Sequence, residues 1–241
     1  MTTPIAVHIK TFKIDGHDVS AREDEMVLQI ARDNGIFIPT LCQVDGLSAV
    51  GACRLCLVEV KGRPKLFSAC SLRAEEGVEI ITTSERLSKY RRMILELLFS
   101  ERNHICAVCV SNGHCDLQDL AQKLGMTSVR FQYRNPPMPV DATHDQFAID
   151  HNRCIVCTRC VRVCDEIEGA HTLDVMARGI KSRVIVDLDQ SWGTSETCTS
   201  CGKCVQICPT GALFEKGTSI GEMVKKRQFL SYLTIMREAK R

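Results

Sequence analysis

Fifteen cysteines in 241 residues fall into four groups, and their spacing constrains this chain more than any other feature. The groups are Cys42/Cys53/Cys56/Cys70, Cys106/Cys109/Cys115, Cys154/Cys157/Cys160/Cys164 and Cys198/Cys201/Cys204/Cys208. Six of the fourteen gaps between successive cysteines hold only two residues. Cysteines that close are poorly placed to bridge one another, but they suit a single metal centre. The second group has three cysteines with a histidine, His104, beside it. Fifteen thiolates and one imidazole make sixteen donors, enough for four complete four-ligand sites with none left over. That count implies a chain built to conduct electrons.

The remaining composition mostly excludes. The first ten residues, MTTPIAVHIK, lack a basic stretch followed by an apolar run, so no signal peptide is expected. No apolar stretch approaches the roughly 18–20 residues that span a bilayer. A reducing cytoplasm is therefore the expected compartment, and it keeps thiolates free for iron. A net charge of +2 and 5% aromatic residues give no indication of nucleic acid. Few aromatics mean thin cores, so metal binding is expected to supply much of the folding free energy.

The pattern predicts an α+β chain. Val7–Ile14 alternates as a strand, Asp15-Gly16 is a hairpin signal, and Met26, Val27, Ile30 and Ala31 follow at helical spacing until Gly35. Leu57–Val60 and Val78–Ile81 read as further strands. Ser84 is placed to cap a helix reaching about residue 100, with Leu87, Tyr90, Ile94 and Leu98 on one face. A second helix is expected over about Asp116–Leu124, stopped by Gly125. Pro136, Pro137 and Pro139 mark a linker. Residues 147–215 then repeat strand, cysteine run and helix, with Phe147–Asp150 before the first run and Val184–Asp187 before the second. Met223, Phe229, Leu230, Leu233 and Met236 suggest a terminal amphipathic helix that packs on the chain's own body or docks a partner. The expected domains are 1–82 (a β-grasp [2Fe–2S] ferredoxin fold), 83–133 (a small helical, histidine-ligated [4Fe–4S] domain), a linker over 134–146, a two-cluster ferredoxin-like domain over 147–216, and a C-terminal helix over 217–241.

The doubled C-x2-C-x2-C-x3-C run is the most specific signal. In two-cluster ferredoxins the fourth cysteine of each run ligates the other cluster. That pattern assigns Cys154, Cys157, Cys160 and Cys208 to one [4Fe–4S] cluster and Cys198, Cys201, Cys204 and Cys164 to another. Pro209 follows the second run as the pattern expects, whereas Asp165 replaces proline after the first. Zinc and disulfides are the bland alternatives, and the paired repeat disfavours both. Cys42-x10-Cys53-x2-Cys56-x13-Cys70 departs from plant-type ferredoxin spacing. The order of strand, helix, ligand loop and strand still suits a [2Fe–2S] cluster, with four-cysteine zinc as the alternative. His104-x-Cys106-x2-Cys109-x5-Cys115 in isolation suits zinc as well as iron; beside three iron–sulfur sites, [4Fe–4S] is favoured. His114 directly precedes Cys115, and adjacent side chains reach one metal corner poorly, so His104 is preferred as the fourth donor. In total one [2Fe–2S] and three [4Fe–4S] clusters are expected. No two of the fifteen glycines stand two apart, which removes the G-x-G start of a Rossmann fingerprint, and no Walker A sequence occurs. Converting a hydride into single electrons would then fall to a flavin-bearing partner.

A [2Fe–2S] domain, a histidine-ligated cluster and a ferredoxin-like domain in that order resemble the large iron–sulfur subunit of respiratory complex I and the N-terminal region of [FeFe] hydrogenases. Both continue far beyond the length of this chain. A chain of this length with both ferredoxin runs intact resembles the small diaphorase subunits of cytoplasmic NAD-reducing [NiFe] hydrogenases. Glu101-Arg102-Asn103-His104-Ile105-Cys106-Ala107-Val108-Cys109 is similar to that family's histidine-site motif, and H-x-C in place of H-x3-C favours the hydrogenase branch. The resemblance covers residues 5–215. It implies an electron-transfer subunit of a hetero-oligomer, set between a flavin/NAD-binding diaphorase subunit and a hydrogenase small subunit, in the reaction H2 + NAD+ ⇌ NADH + H+. The equivalent subunit of an NAD-dependent formate dehydrogenase, a multi-subunit [FeFe] hydrogenase or a complex I-like enzyme is the neighbouring alternative. A redox-sensing or structural metal module is the alternative from another class.

Overall fold

Asp15 and Gly16 both take positive φ, +50° and +81°, the mirror-image turn that matches the twist of two antiparallel strands. It joins β1 (Ile9–Ile14) to β2 (His17–Arg22). In this computed structural model residues 8–230 and residue 232 are described, so Val7 of the expected first strand lies outside the described residues. Helix α1 (Val27–Asp33) follows, and Gly35 ends it in the left-handed region. Strands β3 (Leu57–Val60), β4 (Leu66–Ser68) and β5 (Glu79–Ile81) complete a five-stranded sheet of order β2-β1-β5-β3-β4. β5 runs parallel to β1, and the other pairings are antiparallel. Alternate residues of β1, Phe12 and Ile14, point into a core shared with Val27, Ile30 and Ala31 of α1. Each fully buried aliphatic side chain there contributes about 1.5–3 kcal/mol.

Helix α2 (Glu85–Glu101) starts where Ser84 Oγ accepts a 3.1 Å hydrogen bond from the Leu87 amide. Its most buried seam is Leu87, Arg91 and Leu95, one position round from the expected face, and Tyr90 is exposed. Arg91 earns that place by donating to the Leu55 and Leu57 carbonyls at 3.2 and 2.7 Å. By contacts the chain divides into two compact units: residues up to Thr40 with Ala49–Ile94, and Leu41–Ser48 with the residues from Leu95 onward.

In the second unit, α3 (Asp116–Lys123) ends before Gly125 at φ +64°. Residues 134–146, expected as a linker, instead carry strand β6 (Val140–Asp141), which pairs with β7 (Phe147–Asp150). Asp141 also accepts the Trp192 amide at 2.7 Å, so this stretch is tied into the body. Helix α4 (Arg159–Arg162) passes into a π-turn over Val163–Glu168 that Gly169 closes at φ +75°. β8 (Leu173–Met176) and β9 (Arg183–Val186) form a hairpin. Helix α5 (Lys203–Ile207) leads to β10 (Leu213–Glu215), which pairs with the other edge of β7. Both helices of the repeat begin inside their cysteine runs rather than after them, because the third cysteine of each run already lies on the helix.

The expected terminal helix is corrected over its first part. Residues 219–227 are not helical, and helix begins at 228. Lys225 is drawn inward, its Nζ donating to the Val205 and Leu213 carbonyls at 3.0 and 3.2 Å, so its main chain follows the body instead of coiling. Leu233 and Met236 lie outside the described residues. Among the described residues no helix is long and apolar enough to cross a membrane.

Candidate metal centres

The two cysteine runs are folded the same way. Val156 and Thr158 in the first run take φ of +48° and +59°, and Ser200 and Gly202 at the matching positions of the second take +54° and +68°. A left-handed conformation is costly for a β-branched residue, so the surrounding structure must impose it. It turns amides inward: the Val156 N–H donates to Cys154 Sγ at 3.4 Å. The runs cross over. Cys154, Cys157, Cys160 and Cys208 line one pocket with about 340 Å³ free of protein atoms. Cys164, Cys198, Cys201 and Cys204 line another of about 360 Å³. The fourth cysteine of each run thus faces the first three of the other. Cys201 is exposed, while Cys157, Cys160 and Cys208 are buried.

His104, Cys106, Cys109 and Cys115 line a third pocket of about 290 Å³. His104 Nε2 is buried there and has no hydrogen-bond partner among the described residues, an arrangement that costs free energy unless a ligand answers it. A hydrogen bond to the Leu98 backbone engages the imidazole, which leaves Nε2 as its open acceptor. Burial, helped by Arg153 and Arg102, pulls the His104 pKa down to about 4, so the ring is neutral. Phe99 holds it edge-on at 5.3 Å between centroids. His114 does not line this pocket. The wall is tight at Gly211, where a β-carbon would stand 2.4 Å from Cys109 Sγ.

Cys53, Cys56 and Cys70 come together in the first unit. Hydrogen bonding to Cys70 and burial push the Cys56 thiol well above its ordinary value, and Cys53 adds to the effect. Thr40 Oγ1 and Cys53 Sγ are 3.7 Å apart. Cys42 is buried on the Leu41–Ser48 segment, which belongs to the second unit. Among the described residues, no three His, Cys, Asp or Glu side chains converge as they would around a single metal ion.

Burial dominates the thiols of the second unit. It pushes Cys154 and Cys115 up to about 12 and Cys157 up to about 11, with Arg159 pulling back on Cys157. Cys160 and Cys204 are raised as well. Such groups are stable as thiolates only when a cation replaces the water they have lost. The donor set therefore fits positively charged, sulfur-loving iron centres.

Several residues that the spacing did not single out shape these pockets. Trp192, the chain's only tryptophan, donates its indole N–H to Cys198 Sγ at 3.3 Å and is buried. His144 and Phe147 pack against its ring. Asp116, next to Cys115, binds buried Arg159 at 2.9 Å and Arg227 at 2.9 and 3.0 Å, and Arg227 reaches the Cys208 carbonyl. The Asp116 amide donates to the Pro209 carbonyl, and Cys115 Sγ lies 3.6 Å from that same oxygen, so the histidine pocket and the Cys208 pocket share a wall. Arg162 is buried against the Cys42 and Cys157 carbonyls. The lone tryptophan six residues before Cys198 was a signal open to sequence reading, whereas the arginines and Asp116 look locally like ordinary helix charges.

Residues 10–85 match a 2Fe-2S iron-sulfur cluster binding domain family. Residues 91–130 match the NADH-ubiquinone oxidoreductase-G iron-sulfur binding region, and residues 145–214 match the ferredoxin-like domain of NADH-quinone oxidoreductase subunit 3. The chain is 31% identical over 217 residues to the NAD-reducing hydrogenase HoxS subunit gamma of Cupriavidus necator, covering 90% of this chain and 91% of that one. It is 36% identical over 203 residues to the NADPH-Fe(3+) oxidoreductase subunit alpha of Geobacter sulfurreducens, covering 84% of this chain and 24% of that one. It thus spans about a quarter of the length of that larger relative. A crystal structure of NAD+-reducing [NiFe]-hydrogenase in the H2-reduced state contains a chain that superposes with a TM-score of 0.83 at 36% identity, covering 92% of this chain and 94% of that one.

Proposed function

The chain belongs to the family of iron–sulfur subunits that includes the gamma subunit of NAD-reducing hydrogenase, and on that premise we propose that it carries electrons between a flavin/NAD-binding diaphorase subunit and a hydrogenase small subunit. The overall reaction is H2 + NAD+ ⇌ NADH + H+, and this chain is its conductor rather than its catalyst. The observation that carries the reading is the set of three pockets, each lined by four donors, with Cys164 and Cys208 exchanged between the two cysteine runs.

The proposed ligands are Cys154, Cys157, Cys160 and Cys208 for one [4Fe–4S] cluster, and Cys164, Cys198, Cys201 and Cys204 for the second. His104, Cys106, Cys109 and Cys115 take the third, and Cys42, Cys53, Cys56 and Cys70 a [2Fe–2S] cluster. When bound, the clusters supply reversible one-electron transfer. Neutral His104 offers Nε2 as its donor atom and contributes no negative charge. The Trp192 N–H withdraws electron density from Cys198 Sγ. The buried guanidinium groups of Arg159 and Arg162 offset thiolate charge near Cys157. Burial of Cys157, Cys160 and Cys208 limits the access of water to this site. With no nucleotide fingerprint in the chain, hydride chemistry falls to the diaphorase partner.

The test is reconstitution. Anaerobic, iron-loaded chain is mixed with NADH, with and without a purified flavin-bearing diaphorase subunit, and bleaching of its visible absorbance is followed. Bleaching only when the diaphorase is present is expected. Saturable NADH oxidation by the chain alone would contradict the conductor role.

A further inference from the structure

Asp116 is a single carboxylate that holds the ligand loops of two pockets. It follows Cys115 directly and is the first residue of α3. Its Oδ2 accepts from Arg159 Nη1 at 2.9 Å. Arg227 grips it with both arms, Nη1 donating to Oδ2 at 2.9 Å and Nη2 to Oδ1 at 3.0 Å, a pairing that fixes direction as well as distance. Each arginine belongs to the neighbouring site. Arg159 stands between Cys157 and Cys160 in the chain and is buried, and its Nε has no partner among the described residues, so the guanidinium leans on Asp116. Arg227 carries the contact on to the Cys208 carbonyl at 3.2 Å and the Gln206 carbonyl at 3.3 Å. The Asp116 amide donates to the Pro209 carbonyl at 2.9 Å, and Thr210 lines both pockets. All of these residues lie in the second unit. The loop of Cys115 is thereby tied to the run of Cys157 and Cys160 through Arg159, and to Cys208 through Arg227.

We infer that Asp116 is a positioning residue shared by two centres: it sets the spacing between the histidine-ligated cluster and the cluster ligated by Cys157 and Cys208, and its charge holds down the potentials of both. This rests on the ligand sets proposed above for those two pockets. Spacing follows from geometry. Two planar guanidinium forks meet on one carboxylate, and forks of fixed shape hold what they bridge at a set separation. The second effect is electrostatic. Asp116 with Arg159 and Arg227 carries one net positive charge, and the arginines without it carry two. Reduction adds an electron to a cluster, so each further positive charge nearby favours the reduced form. The carboxylate opposes the arginines and keeps both potentials below the values that they alone would set. The remaining four-iron site is the internal reference. Beyond burial, Arg159 acts on the Cys157 thiol, whereas Cys201, Cys164 and Cys198 act on Cys204.

The test compares the iron-loaded full chain with Asp116→Asn and Asp116→Glu, using iron content, EPR-monitored redox titration and the spin–spin interaction of the two reduced centres. Each is also made with Cys198→Ala, which identifies the reference cluster by its loss. Asp116→Asn is expected to keep its iron, to raise both potentials while the reference stays near wild type, and to alter the interaction. A side chain that merely stabilised the fold would not move two potentials together. Asp116→Glu keeps the charge and displaces it by one methylene, so both potentials stay near wild type while the interaction changes. A shift in only one of the two potentials of Asp116→Asn, a shift of the reference as large as theirs, or an interaction unchanged in both variants overturns the inference. If Asp116→Asn fails to hold iron, Asp116→Glu decides alone, and an unaltered interaction there overturns the inference. A His104→Ala chain that keeps every four-iron signal of wild type overturns the ligand reading itself, and the inference with it.

Discussion

Among the described residues nothing answers the buried acceptor His104 Nε2, which makes it the most sensitive single atom of the histidine pocket. His104→Cys should keep a cluster of the same iron content while adding one negative charge, so its potential falls relative to wild type. His104→Ala should leave three ligands and a centre that loses an iron on oxidation, whereas His114→Ala behaves normally. EPR-monitored titration and iron analysis of the three variants check this, and reversed roles for His104 and His114 would reject the assignment. Gly211 gives an independent handle on the same pocket. A methyl group there would crowd Cys109 Sγ, and because the thiolate must turn out of the pocket to clear it, Gly211→Ala should selectively deplete iron at this site. Cysteine grouping made the donor sets of the three pockets largely legible in the sequence, because donor spacing is mostly a local property. Asp116 and Arg162 were not legible as parts of the sites, because their partners lie 43 and 120 residues away and hydrogen bonds of that kind leave no periodic trace.

At the scale of elements, the repeat of strand, cysteine run and helix could be read directly, since turn chemistry and cysteine spacing recur together. The left-handed residues at matching positions of both runs had no compositional signature: Val156, Thr158 and Ser200 are not turn-formers of the glycine kind. β6 was masked by its prolines, and it is a strand only because β7 offers an edge that follows within a few residues. The exchange of Cys164 and Cys208 belongs to this level too. Cys164→Ser should disturb the cluster held by Cys198, Cys201 and Cys204 and largely spare the one beside it in sequence. In the Cys164→Ser/Cys198→Ala double variant the spectroscopic damage should be no greater than one cluster's worth, and additive loss of two clusters would mean that each run ligates locally. Helix α2 offers a prediction free of iron. Ser84→Ala removes the cap on the Leu87 amide, at a cost of about 1 kcal/mol. For a chain of this size that lowers the thermal midpoint by about 2–4 °C, read as a shift against wild type at equal iron loading.

At the scale of the whole molecule, two things follow from how much of the chain is given to metal. The buried thiols of the second unit are pushed far from their ordinary range by desolvation, so the walls around them are built for the loaded state and iron binding is part of folding. One two-iron and three four-iron clusters require about 14 iron atoms per chain. Anaerobic purification with iron, sulfide and zinc analysis should return that stoichiometry, with zinc near zero. Iron near ten, or zinc near one per chain, would remove one of the four-iron assignments and point first to the histidine pocket, whose donor set alone suits either metal. The same preparation should take up electrons from dithionite across all its clusters. It should remain oxidised when given NADH alone, because the sequence carries neither the G-x-G start of a Rossmann fingerprint nor a Walker A pattern. Dithionite-reducible iron at full stoichiometry, silent toward NADH until a flavoprotein is added, is the behaviour of a conductor. A chain that held full iron and yet passed no electrons from that flavoprotein to an acceptor would instead use its clusters for structure or sensing.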